Sequence, residues 1–235
     1  MKILGVESSA VSASVAVLED GKIISLQYIN TGLTHSQTLM PMVNTALNNV
    51  NLSVEDIDYL AVSKGPGSFT GVRIGVSVVK GLGFVKDMKC VPVSTLEVIA
   101  EPLSSSNSYV VSVMDARCNQ FYTASFVSRN GELIRLCDDR AISADELKAD
   151  LLKLGDKPIV LTGDGTNVAY SALSSEVHNI IKADISVMYQ SASALTAAAY
   201  KMLLKDEDSA LPVSDVLPDY LRLSQAEREL KNKNK

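Results

Sequence analysis

The first third of the chain alternates between two periods. Lys2–Glu7 (KILGVE) is an apolar run that ends in an acid, and Ser12–Leu18 (SASVAVL) alternates small polar and branched apolar residues. An Asp20-Gly21 pair then leads into KIISLQYI. An Asp-Gly pair between two such runs is a strong hairpin signal, so residues 3–29 are predicted as three short strands. From His35 the period lengthens: Leu39, Val43, Ala46, Leu47 and Val50 recur at helical spacing over residues 35–50. Pro41 within that stretch removes one backbone hydrogen bond unless it lies in the first turn. Ser53 with Asp56 opens a short helical turn, and Tyr59–Ser63 is predicted as a strand.

The opening plan returns near Tyr109. YVVSVMDARCNQFYTASFVSRNGELI again carries an apolar strand that ends in an acid, a short polar turn, and a strand reaching an x-Gly turn. Glu7 and Asp115 are equivalent under this register, as are Asp20-Gly21 and Asn130-Gly131. The separation is near 108 residues, which suggests two related lobes. Further on, Ser143 and Glu146 form a capping box for a helix carrying Leu147, Leu151 and Leu154 and closed by Gly155. KPIVLTGDG is predicted as a strand entering a glycine turn, and SALTAAAYKMLLK as an amphipathic helix. Pro212 and Pro218 precede a last helix with a Ser224/Glu227 capping box. Strands followed by alternation with helices define an α/β chain.

Composition narrows the chemistry. The 235 residues are 46% hydrophobic and include no tryptophan. No apolar run approaches the roughly 20 residues of a membrane helix, and MKILGVESSA turns polar too early for a signal peptide. A soluble, cytoplasmic protein is expected. A net charge of −5 argues against a broad nucleic-acid-binding face, and the basic end Lys231–Lys235 is expected to be a solvated tail. Cys90, Cys118 and Cys137 are far apart and lack metal or redox spacing, so they are expected as free thiols. His35 and His178 are the only histidines. That scarcity weighs against a histidine-based hydrolase or metal site, and a peptidase in particular lacks a visible nucleophile–base pair.

The segment KGPGSFTGVRIG, Lys64–Gly75, looks at first like a phosphate loop. It has no Gly-Lys-Ser/Thr, and its G-P-G-S-F-T-G spacing is one residue too long for a dinucleotide fingerprint. A helix start capped by Ser68 or Thr70 could still hold an anion. Beyond it the periods conflict. Val72, Ile74, Val76 and Val78 alternate like a strand, whereas Gly71, Gly75, Val78 and Leu82 form one helical stripe. Periodicity alone leaves helix and strand open.

ILGVESSAVSASVAV, HSQTLMPM, AVSKGPGSFTGVRIG and PVSTLEVIA, in this order and spacing, resemble the TsaB (YeaZ) family. VMDARCNQFYTASF and PDYLR resemble it as well. The resemblance implies a two-lobed, actin-like α/β fold with a degenerate nucleotide and metal site, and a helix over Phe69–Val85. It implies an N-terminal lobe over residues 1–103 and a smaller lobe over 104–235, with the tail 212–235 packing back on the first.

The metal-dependent cousin in the same family, TsaD, is similar except for a pair of histidines where this chain has Thr95 and Ile99. Neither can serve as a paired imidazole ligand. In the actin-like fold Glu7, Ser8 and Ser9 occupy the first phosphate-contacting turn, so they are the candidate cofactor-binding residues, and Asp115 with Arg117 stands at the equivalent turn.

The implied role is that of a non-catalytic subunit in the synthesis of N6-threonylcarbamoyladenosine in tRNA, with TsaD and the ATPase subunit TsaE as partners. Contact with tRNA would come through the complex, and the isolated chain would form a homodimer. No cofactor is expected to be required by this chain, although ATP or ADP could be held in the complex. The expected partner interface uses His35, Gln37, Met40 and Val43 on the first helix. On the second it uses Ser68, Phe69, Thr70, Gly71, Val72, Arg73, Gly75, Val76, Val79 and Leu82. A stand-alone ATPase or small-molecule kinase of the same fold is the alternative.

Overall fold

The computed structural model describes residues 1–32, 34–84, 86–117 and 119–222. Residues 33, 85, 118 and 223–235 lie outside the described part. They include the end of the Phe69–Val85 helix, Cys118, the Ser224/Glu227 capping box and the basic end.

The chain opens with β1 (Lys2–Glu7), β2 (Ala13–Glu19) and β3 (Lys22–Ile29), followed by α1 (His35–Asn48) and β4 (Tyr59–Gly65). Then come α2 (Phe69–Phe84), β5 (Lys89–Ser94) and α3 (Thr95–Ala100). The sequence periods account for most of this. Asp20 and Gly21 both take positive φ, 46° and 82°, as a primed two-residue hairpin requires. Between β4 and β5 the open question closes on a helix. The Ser68 hydroxyl accepts the Gly71 amide at 3.2 Å and so starts α2. The alternating Val72, Ile74, Val76 and Val78 are simply distributed around that helix, Val72 and Val76 inward and Ile74 and Val78 half-buried.

The second half repeats the plan with β6 (Tyr109–Asp115), β7 (Gln120–Arg129), β8 (Glu132–Arg135), β9 (Arg140–Ser143), α4 (Ala144–Lys153), β10 (Ile159–Thr162), α5 (Thr166–Leu173) and β11 (Ile180–Lys182). It ends with α6 (Ala192–Lys205) and β12 (Leu211–Pro212). Asn130 and Gly131 repeat the positive φ pair at 52° and 82°. Ser143 and Glu146 form the expected capping box.

Two sheets result. The first runs β12-β5-β4-β1-β2-β3 and the second β11-β10-β6-β7-β8, with β9 also on β7. In both, an antiparallel three-strand meander is followed outward by two parallel strands. The order β5-β4-β1-β2-β3 therefore matches β11-β10-β6-β7-β8 strand for strand, and the sequence repeat is a structural one.

The third helix of each half crosses over. Leu96, Ile99 and Ala100 of α3 pack with Val110, Met114, Ala124 and Phe126 of the second sheet. Leu195, Ala198 and Ala199 of α6 pack with Ile3, Leu18, Ala61 and Val91 of the first. The chain order does not divide cleanly at 103/104: α6, late in the chain, covers the first sheet, whose apolar face needs that helix, and β12 extends that sheet where the 212–235 tail was expected to pack back.

Candidate functional site

Two concave features flank the glycine segment. One is a polar cleft of about 760 Å³ between the lobes, and the other is an apolar groove of about 710 Å³ between α1 and α2.

The β1–β2 turn lies at the base of the cleft, and its polar groups point inward. Glu7, Ser8 and Ser9 are almost fully buried. The Glu7 Oε1 accepts the Ser9 amide at 2.7 Å and the Ser9 hydroxyl at 2.5 Å, while Oε2 accepts the Ser63 hydroxyl. Burial raises the Glu7 pKa, and the hydrogen bonds from Ser63 and Ser9 pull it back down. Ser8 donates to the Gly71 carbonyl at 2.9 Å. All three candidate phosphate-binding side chains are therefore occupied: Glu7 ties β1 to β4, Ser8 ties the turn to α2, and Ser9 closes the turn on Glu7.

The glycines explain the close approach. A Cβ on Gly67 would stand 2.2 Å from the Ser9 carbonyl, one on Gly71 2.2 Å from the Ser8 carbonyl, and one on Gly75 2.5 Å from the Ser8 Oγ. The two glycines of the stripe, expected at a partner interface, instead meet the chain's own first turn, while its Val78 and Leu82 line the groove. Val43, Val72, Val76 and Val79 sit in the same core. For Gly71, Gly75 and these four valines the interface assignment is corrected: they are interior because α2 needs an apolar, glycine-notched face against the first sheet.

The groove uses the neighbouring face. Met40, Thr70, Arg73 and Ser77 are exposed there, with Phe69, Ile74, Val78 and Leu82 half-buried. Of the expected interface residues, Met40, Phe69, Thr70, Arg73 and Leu82 line it. Gln37 is exposed on α1 and Ser68 caps α2. His35 faces the cleft, its Nε2 lying 2.7 Å from the Ala10 carbonyl oxygen.

The opposite cleft wall comes from the second lobe. Asp115 accepts the Arg117 amide at 2.7 Å, and no ion pair joins their side chains among the described residues. Asp164, in the β10–α5 turn, accepts the Asp115 amide at 3.4 Å. Open to solvent on one side and hemmed by protein on the other, its carboxyl is pushed up to about 6 by lost hydration. The Asp115 charge raises it too, against opposing backbone hydrogen bonds. Sequence reasoning missed Asp164, Tyr220 and Arg222, all of which line the cleft. The Gly-Asp-Gly turn after KPIVLT was the available signal for the first. The other two fall in PDYLR, Pro218–Arg222, which the family resemblance had marked without placing it at the cleft.

Thr95 and Ile99 are fully buried within α3. His178 is exposed between α5 and β11, away from both features. Cys90 is buried, with its thiol pKa raised by desolvation, and Cys137 is partly buried. No cluster of three or more His, Cys, Asp or Glu side chains suited to a metal occurs among the described residues. No helix there is long and apolar enough to cross a membrane.

Comparison with known proteins agrees with this two-sheet arrangement. A family model described as TsaD, tRNA N6-adenosine threonylcarbamoyltransferase, matches residues 30–230. The tRNA threonylcarbamoyladenosine biosynthesis protein TsaB of Bacillus subtilis is 31% identical over 97% of this chain and 96% of its own length. The Escherichia coli TsaB is 28% identical over 99% and 100%. The structure of YeaZ from Pseudomonas aeruginosa superposes with a TM-score of 0.78 at 24% identity, covering 94% of this chain and 99% of that one. The transferase model thus spans most of the chain, while the full-length likeness is to TsaB, and the chain belongs to the TsaB (YeaZ) family.

Proposed function

We propose that this chain is a non-catalytic scaffold and activator subunit of the machinery that forms N6-threonylcarbamoyladenosine in tRNA, next to the anticodon. It docks the transferase TsaD through the α1–α2 groove and joins the ATPase subunit TsaE, and the transferase carries the metal chemistry and most of the tRNA contact. In isolation the same groove pairs two copies.

The observation that carries this reading is the groove itself. Met40, Ile74, Val78 and Leu82 form an apolar channel open to solvent, and such a channel rimmed by polar side chains suits a protein partner. Methionine in its wall adapts to a partner's shape. The near-full-length likeness to proteins named TsaB supports the choice of partner. The inward hydrogen bonds of Glu7, Ser8 and Ser9 support a structural role for the first turn.

The cleft favours a second reading, a stand-alone ATPase or small-molecule kinase, because Asp115, Arg117 and Asp164 converge on a cavity wide enough for a nucleotide. Titration of the purified chain with TsaD separates the two. Met40→Glu and Ser77→Arg, both on exposed positions, should weaken association by roughly tenfold or more, the scale of a disrupted hot spot, without lowering Tm. Equal binding by wild type and both variants would remove the groove as the docking face. Turnover of ATP by the chain alone at roughly 1 s⁻¹ or faster would establish the second reading.

A further inference from the structure

After β12 the chain does not leave the molecule. It runs back along α2 towards the cleft, with the Ser214 carbonyl accepting Lys80 Nζ at 2.9 Å. At its far end the Asp219 amide donates to the Lys64 carbonyl at 2.7 Å. The next two contacts have different owners. Tyr220 stacks on Phe69 with ring centroids 4.8 Å apart, and its hydroxyl accepts Arg73 Nε at 2.7 Å. Arg73 in turn lies 3.9 Å over the Phe69 ring. Arg222 reaches across to the other lobe, donating to the Ala116 carbonyl at 2.5 Å and the Arg117 carbonyl at 3.4 Å. One short segment is thus fastened to β4 and α2 on one side and to the β6–β7 turn on the other, over the cleft.

Its fastening is not independent of the groove. Phe69 and Thr70 line both the groove and the cleft, and Arg73 belongs to the groove wall while holding the Tyr220 hydroxyl. Arg73 is exposed, so a body seated in the groove would meet its guanidinium directly. A guanidinium can exchange one planar stack or acceptor for another with little rearrangement. Among the described glycines, the one packed closely on residues 219–222 is Gly65, where a Cβ would stand 2.5 Å from the Asp219 carbonyl. Hydrogen bonds, one stack, the Arg73 guanidinium over the Tyr220 ring and a solvent-exposed Lys64–Asp219 ion pair at 3.9 Å supply the rest, and such polar, exposed contacts belong to the low end of local stability.

We propose that Asp219–Arg222 is a latch that closes the interlobe cleft and that its hold is set from the α1–α2 groove through Arg73. With Arg73 on Tyr220 the latch is shut and the lobes are tied. Drawing Arg73 into the groove frees Tyr220, then Arg222, and opens the cleft mouth beside Asp115, Arg117 and Asp164.

Hydrogen exchange on the full chain tests this without any partner. The reporters are the Asp219 amide, bonded to Lys64, and the Ala116 amide, bonded to the Gln120 carbonyl in the other lobe. Arg222→Ala should raise exchange at both by roughly tenfold or more, the scale of a charge-assisted hydrogen bond. Arg73→Ala, which touches neither amide, should do the same, while the β1 and β4 amides keep wild-type protection. The proposal is overturned if Arg73→Ala leaves Ala116 exchanging as in wild type, whatever happens at Asp219. It is also overturned if Arg222→Ala changes neither reporter. Should Arg73→Ala loosen β1 and β4 as well, Tyr220→Leu replaces it with the same required pattern, and a wild-type rate at Ala116 again sinks the latch.

Discussion

Glu7 shows how one acid can change its task while keeping its place. It ends a strand, as an acid at a phosphate turn would, yet both oxygens are consumed by Ser9 and Ser63. Its pKa is raised by burial, so the folded state holds the proton more tightly than the unfolded chain. The stability this contributes is present below the ordinary carboxylate range and is lost as pH rises through the raised value. Glu7→Gln should therefore flatten that fall, matching or exceeding wild type at pH 8 in urea unfolding while trailing it at low pH. Glu7→Ala should cost about 1–3 kcal/mol at any pH, because it strands the Ser9 and Ser63 donors. Equal pH slopes for wild type and Glu7→Gln would show that the acid does not titrate as described.

At the scale of elements, α2 separates what periodicity can and cannot reveal. Hairpins were legible because period-two alternation and the Asp-Gly and Asn-Gly turns agree with each other. The helix was not, since its β-branched residues sit at every second position and mimic a strand. Nor could the direction of its glycine stripe be read, because the surface it meets, the Ser8–Ser9 turn, is distant in sequence. Outward contact with a partner and inward contact with the chain's own turn demand the same small residues. Residues 219–222 were invisible as a cleft element for a similar reason, since their partners are Lys64, Arg73 and Ala116. Two glycines of this one helix should respond oppositely to alanine. Gly71→Ala faces the Ser8 carbonyl and should destabilise by about 1–3 kcal/mol. Gly81→Ala meets nothing within 4 Å and should stabilise by about 0.5–1 kcal/mol through helix propensity. Thermal unfolding of the pair checks both signs.

For the molecule as a whole, the lobes are held at two places. Apart from the latch, Lys201 of α6 donates to Glu101 at 2.5 Å and to the Gly131 carbonyl at 3.1 Å, joining the helix on the first sheet to a hairpin of the second. Burial raises the Glu101 pKa, and the bond and charge of Lys201 hold it down. Lys201→Met would remove that restraint and raise it further. Since a raised carboxylate pKa subtracts stability as pH climbs, the deficit of Lys201→Met should be small near pH 5. By pH 8 it should reach about 2 kcal/mol, below the full penalty for breaking a buried pair because Lys201 is partly solvated. A pH-independent deficit in chemical denaturation would mean that Glu101 is not the group responsible.

The exchange of third helices between the halves also bears on the order in which the chain is made. The strands of the first meander and their parallel neighbours are complete at Ser94, but the helix covering one face of their sheet begins only at Ala192. At ordinary rates of synthesis that interval is about 5–20 s. For that time Ile3, Leu18, Ala61 and Val91 have only Val98 of α3 over them, without Leu195, Ala198 and Ala199 of α6. The two lobes therefore reach their full packing together, once Ala192–Lys205 is available, instead of one after the other.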